Sequence, residues 1–149
     1  MNNQASNSPF NEASPSVQAH LGILQNVIER MATNSTSAKT WCITIVSAII
    51  VVIADKNKSN YALIALIPTV LFVALDAYYL AMEKGFRNAY NQFVKKIHGG
   101  SLTTEDLFSV RSVGNFSKLQ LEALMSFSVW GFYSTLALLI LCASFILGS

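Results

Sequence analysis

Apolar and polar positions fall into long uncharged runs separated by short charged segments, and in each run the spacing indicates a helix. The organising run extends from Tyr61 to His98. Nothing ionises between Lys58 and Asp76, and a helix from Ser59 to Met82 would cover roughly 35 Å, enough to cross a bilayer core of about 30 Å. Beyond it the pattern turns amphipathic. Phe86, Tyr90, Phe93 and Ile97 recur at steps of four, three and four, with Lys84, Asn88, Asn91, Lys95 and His98 opposite, until Gly99-Gly100 stops the helix. The spacing therefore predicts a span over 59–82 that continues into a cytoplasmic basic extension over 83–98. The plainer reading of the extension is a basic flank that snorkels to the interface.

Residues 1–13 are polar and predict a disordered tail. Ser14-Pro15 then has the form of a helix start, with Ser as N-cap and Pro at the first helical position. Val17, Leu21, Leu24, Ile28 and Met31 make an apolar stripe, so an amphipathic helix is expected over 14–33. Helices lying in a membrane interface are rich in Lys and Arg, and this one has only Arg30. Packing on a neighbouring subunit or on the chain's own inner loop is an equal expectation. Thr33 to Ser37 (TNSTS) predicts a break, followed by a first span over 37–55 with Lys39 snorkelling, and by a turn from Asp55 to Asn60. A cytoplasmic loop with a short helix is expected over 99–117. Ser117 with Gln120 three residues on resembles a capping box that opens a helix over 118–149, which includes the third span. The fold expected is an all-α membrane protein, an N-terminal amphipathic helix plus three transmembrane helices.

Composition sharpens this picture. Only 12% of residues are charged, against about 25% in typical soluble domains, which leaves no room for a separate soluble domain. The first fifteen residues hold no Lys or Arg and no apolar core, unlike a secretory signal. Arg30, Lys39, Lys84, Arg87, Lys95, Lys96, Arg111 and Lys118 fall on one side of the three spans, and only Lys56 and Lys58 on the other. The positive-inside rule then puts the N-terminus and the 83–122 loop in the cytoplasm and the C-terminus outside a bacterial inner membrane. Trp41, Tyr78, Tyr79 and Trp130 would form the inner aromatic belt and Tyr61 the outer one. Cys42 and Cys142 would sit at opposite ends of their spans, too far apart to bond.

Candidate chemistry is sparse. No phosphate-cradling loop, no HExxH and no paired-Cys motif is present, and His20 and His98 have no recognisable metal-ligand partner, so neither catalysis nor a metal or other cofactor is expected. Asp76 is the one ionisable residue inside an apolar run, a default functional candidate in a membrane, although pairing with Lys39 is the more ordinary reading. Pro68, near the middle of the second span, is expected to kink it and to serve as a hinge candidate. Two small or hydroxylated stripes, Thr40–Thr44–Ser47 and Ser128–Gly131–Thr135, suit close helix packing, or the lining of a weakly polar pore in a ring. Lys84, Arg87, Lys95 and Lys96, interleaved with Phe86, Tyr90 and Phe93, suit single-stranded nucleic acid, and suit anionic lipid headgroups equally well.

His20 to Ile49 (HLGILQNVIERMATNSTSAKTWCITIVSAI) and Leu75 to Phe93 (LDAYYLAMEKGFRNAYNQF) resemble the small membrane effectors of bacterial anti-phage defence that are encoded beside a nucleotidyltransferase, as in the Hailong system. The resemblance covers residues 20–98. It implies a homo-oligomeric ion channel, for instance a tetramer, kept closed by a single-stranded DNA oligomer made by the partner enzyme and opened when infection removes it. Lys84, Arg87, Lys95 and Lys96 would then face phosphates. Two alternatives share the size and span count: a holin-like protein whose lesion forms by accumulation, and a scaffold subunit inert on its own.

Overall fold

The structure, a computed structural model, describes residues 10–55 and 63–148, the side chains of 147 and 148 excepted. Residues 1–9 of the tail expected over 1–13, residues 56–60 of the turn expected from Asp55 to Asn60, and the interface position of Tyr61 lie outside the described residues; residues 11–13 form a turn in which the Ala13 N–H donates to Asn11 Oδ1 at 3.0 Å. Among the described residues the chain is all-helical, with three helices long and apolar enough to cross a membrane.

Helix α1 runs unbroken from Pro15 to Asp55 and α2 from Leu66 to His98, preceded by a 3₁₀ turn at residues 63–65. At 1.5 Å per residue their lengths are about 60 and 50 Å, so each exceeds a bilayer core of about 30 Å and continues well beyond it. They pack side by side and antiparallel: the His20 ring lies against Phe93, tilted by 47° with centroids 4.2 Å apart, and further along Lys39 meets Asp76. The break expected at Thr33 to Ser37 does not occur. Hydroxyls in that stretch bond within the helix or across it, Thr36 Oγ1 donating to the Ala32 carbonyl at 3.2 Å, and Ser35 is buried against α2. Segment 14–33 is therefore the first part of the same helix as the first candidate span, packed on the chain's own inner segments.

Pro68 falls in the first turn of α2, not near its middle. The first turn of a helix has amide groups without intrahelical partners, so proline's missing N–H is tolerated there and the ring starts the helix instead of bending it.

After α2, residues 99–115 form a strap that folds back over α1 and α2, with one 3₁₀ turn at Thr104–Asp106. Helix α3 then covers Phe116–Leu124 and α4 covers Phe127–Gly148. Both run back along α2: Leu119 packs with Ala77 and Ala81, and the Tyr133 hydroxyl donates to the Phe72 carbonyl at 3.1 Å. Two expectations fail here. The cap of α3 is Asn115, whose side chain accepts the Lys118 N–H at 3.2 Å, not Ser117. The helix expected over 118–149 is split at Met125–Ser126, where the Ser126 amide bonds the Ala123 carbonyl and the Ser126 carbonyl starts the next helix by accepting from Val129 and Trp130.

Burial separates the molecule into two halves. Cys42, Val46, Ala65, Val129, Tyr133 and Ile140 form one core, surrounded by outward-facing apolar side chains including Val51, Ile67, Val70, Leu71, Leu138 and Phe145. Such a continuous exposed apolar belt on three long helices requires an apolar surrounding. Val17, Leu24, Phe93 and Leu102 form the second core, under the strap and among polar surfaces. One half thus carries the apolar surface of three helices long and apolar enough to cross a membrane, and the other half holds the strap and its core.

Candidate functional site

Four cations were expected to act together on the extension of α2, and the structure does not gather them. Arg87 is paired with Glu83 at 2.8 Å, one turn back. Lys96 is paired with Asp106 of the strap at 2.6 Å. This pairing also holds the Asp106 carboxyl below its ordinary range, chiefly through the Lys96 hydrogen bond and next through the Thr103 amide and hydroxyl, against some desolvation. Among the described residues Lys84 and Lys95 have no ion-pair partner. They lie eleven positions apart, close to three full turns, so they share one stripe about 16 Å long.

Arg87 and Tyr90 instead line an open groove of about 520 Å³ between α1 and α2, with Gln25, Ile28, Glu29, Ala32 and Asn91. A Gln25 amide lies 3.5 Å from the Tyr90 hydroxyl across the groove. This is a polar, aromatic trough with one cation and one free acid, Glu29. Lys96 faces a different and smaller cavity, of about 170 Å³, between α1, α2 and the strap. The basic extension thus offers a two-lysine stripe and an arginine–tyrosine groove in place of one four-charge face.

The strap is held by close backbone approaches that only particular residues allow. A Cβ at Gly85 would lie 2.9 Å from the Ser112 Cβ, so the absence of a side chain lets the strap cross α2. There the Val113 N–H donates to the Gly85 carbonyl at 3.0 Å, and the Asn88 amide donates to the Val113 carbonyl at 3.2 Å. At the middle of the strap His20 is buried beneath it, and its Nδ1 accepts the Phe108 N–H at 3.0 Å. Burial lowers the His20 pKa from its ordinary value, and the Asp106 charge opposes this.

Where the apolar half gives way to the polar half, Asp76 is fully buried. Ser35 Oγ donates a short hydrogen bond to its Oδ1, and the Lys39 ammonium lies 2.6 Å from its Oδ2. Lys39 is also 3.3 Å from Ser35 Oγ. The Lys39 ammonium is thus the ion-pair partner of Oδ2, as Ser35 is the hydrogen-bond partner of Oδ1. Buried charge requires such pairing, because an isolated carboxylate loses several kcal/mol of solvation. Tyr133 of α4 sits on the same side of α2, one turn away at Phe72. Helices α1, α2 and α4 therefore come together around this one charge.

The hydroxylated stripes meet only in part. Ser47 of α1 and Ser128, Gly131 and Thr135 of α4 line one apolar groove of about 550 Å³ on the membrane half. Thr44 is turned out of it and donates to the Thr40 carbonyl at 2.9 Å, as Thr135 does to Gly131 at 2.8 Å. Cys42 is buried, Cys142 is exposed, and both are free thiols.

Ser35, His20, Gly85 and Tyr133 were missed as site residues. Ser35 precedes Lys39 by one turn, on the stripe that continues through Ala38, Cys42 and Val46, and that spacing was the available signal. No family model, curated protein or solved structure matches the chain.

Proposed function

We propose that the chain is a non-catalytic, homo-oligomeric membrane pore of the bacterial inner membrane, controlled by an anionic ligand on its cytoplasmic half. The ligand class is single-stranded DNA, and its loss opens the pore, as in the defence effectors that residues 20–98 resemble. The observation that supports this most is the continuity of α1 and α2 from the apolar half into the strap-bound half. A displacement of the polar ends is carried by two stiff helices into the spans. Three helices packed around Cys42, Val46 and Tyr133 leave no lumen of their own, so the pore needs several copies. Lys84 and Lys95 supply uncompensated charge for phosphates, and Tyr90 beside Arg87 supplies a ring for stacking. The N-terminus and strap lie in the cytoplasm and the C-terminus outside.

The test is binding of a labelled short DNA strand to the protein in nanodiscs at fixed salt. Binding that falls at least about tenfold in a Lys84→Glu/Lys95→Glu variant supports the reading, since two phosphate contacts are removed. Absence of binding by the unaltered chain removes the ligand from the proposal. The second reading is a pore that assembles by accumulation alone. It is favoured by the internal pairing of Arg87 and Lys96, which leaves less charge for any ligand.

A further inference from the structure

We propose that His20 is an acid-release catch, whose protonation frees the strap of residues 99–115 from α1 and α2. The imidazole is 2% exposed and carries its acceptor lone pair on Nδ1, the atom that takes the Phe108 N–H at 3.0 Å. A neutral ring in this position holds its proton on Nε2. Adding the second proton turns Nδ1 into a donor facing another donor. The bond to the strap is then lost, and no rotation of a ring packed 4.2 Å from Phe93 restores it.

Phe108 makes the catch easy to spring. Its φ of +62° places a bulky side chain in the left-handed region, where non-glycine residues pay a conformational penalty. The bond to His20 and the edge-on contact of the two rings, centroids 6.4 Å apart, offset that penalty, and the Phe108 ring is otherwise exposed. With the bond gone, the segment around Phe108 relaxes to ordinary backbone and leaves the core it covers at Val17, Leu24 and Phe93.

The charges around the ring do not cancel the effect. From the strap Glu105, Asp106 and Arg111 face the cavity beside His20, and from α2 Lys96 does, whereas α1 contributes only His20 and Leu24. Asp106 would favour the imidazolium, but the Lys96 ammonium at 2.6 Å already neutralises it. The net result of burial and neighbours is a ring held neutral in the closed strap, in accord with its lowered pKa. The open strap leaves the ring in water, where it takes up its proton near pH 6.5. Acid therefore favours the open form.

The experiment is hydrogen exchange of the full chain in nanodiscs, corrected for the intrinsic pH dependence of amide chemistry. Between pH 7.5 and 5.5 the exchange of residues 99–115 should rise about tenfold, the factor by which a group of ordinary His pKa shifts the opening equilibrium. His20→Asn keeps an acceptor at the Nδ1 position without a proton to gain, and its strap should lose this pH dependence. His98→Asn, at the exposed Glu12 pair, should behave as the unaltered chain. A strap that loosens equally in His20→Asn, or does not loosen in the unaltered chain, overturns the catch. If His20→Asn fails to hold the strap at any pH, the Phe108 amide shift of the unaltered chain decides, since it must follow the His20 titration. Exchange is read without any ion flux, so failure here leaves the pore reading untouched, and the reverse holds.

Discussion

The Lys39 ammonium lies 2.6 Å from the buried carboxylate of Asp76, bridging α1 and α2 at the level where apolar surface gives way to polar surface. A pair this buried is weak evidence for stability as a unit, but each member is costly to leave alone. Asp76→Ala should destabilise the bundle by about 3–5 kcal/mol, since it strands the lysine. The double variant Lys39→Met/Asp76→Leu should recover most of that loss. Thermal unfolding in detergent checks this, and equal losses in the single and double variants would contradict it.

Gly85 admits the strap because nothing projects from it. With a Cβ 2.9 Å from that of Ser112, Gly85→Val must push the strap away and break the Val113–Gly85 hydrogen bond. The expected cost is about 1–3 kcal/mol, the usual range for overpacking. Hydrogen exchange should rise in residues 99–115 and stay unchanged in α4.

Asn115 starts α3, and Ser117 does not. Asn115→Ala should cost about 1 kcal/mol, the typical value of a lost N-cap, whereas Ser117→Ala should be near neutral. Thermal midpoints of the two variants give the comparison, and a larger loss at Ser117 would contradict the cap assignment.

Two groups act on the strap as acid is added, and the signs agree. His20 has a lowered pKa in the closed form, so stability is complete above its ordinary value of 6.5 and declines as pH falls below it. Asp106 also has a lowered pKa, from its bond to Lys96, so its contribution is lost only below the ordinary carboxylate value of 3.8. Two separate acid transitions are therefore expected in strap protection. Lys96→Met should weaken the lower one, leaving only the Thr103 bonds to hold it, and should also shrink the upper, because the Asp106 charge beside His20 is no longer neutralised.

The three spans were legible in the sequence because lipid demands long uncharged runs, a signal that needs no tertiary knowledge. The Lys39–Asp76 pairing was legible for the same reason, as a lone carboxylate there has few partners. The continuity of α1 was not. Serine and threonine at 33–37 look like breakers in isolation, but inside a long helix their hydroxyls bond neighbouring carbonyls or a facing carboxylate. The start of α2 beside Pro68 was hidden because no charge marks where a span begins in an apolar run. The four cations looked like one face because sequence shows charges without their partners: Glu83 lies one turn before Arg87, and Asp106 reaches Lys96 only through the fold of the strap. His20 carried no signal at all, since the Phe108 amide is brought to it from 88 positions away.

Control of a pore from the cytoplasmic half is tested most directly by ion flux through liposomes carrying the purified chain, with and without short single-stranded DNA at fixed salt. Flux that the DNA suppresses, and that persists with DNA in the Lys84→Glu/Lys95→Glu variant, is the predicted result. Flux indifferent to the DNA would leave a pore assembled by accumulation alone, and no flux under either condition would contradict the pore itself.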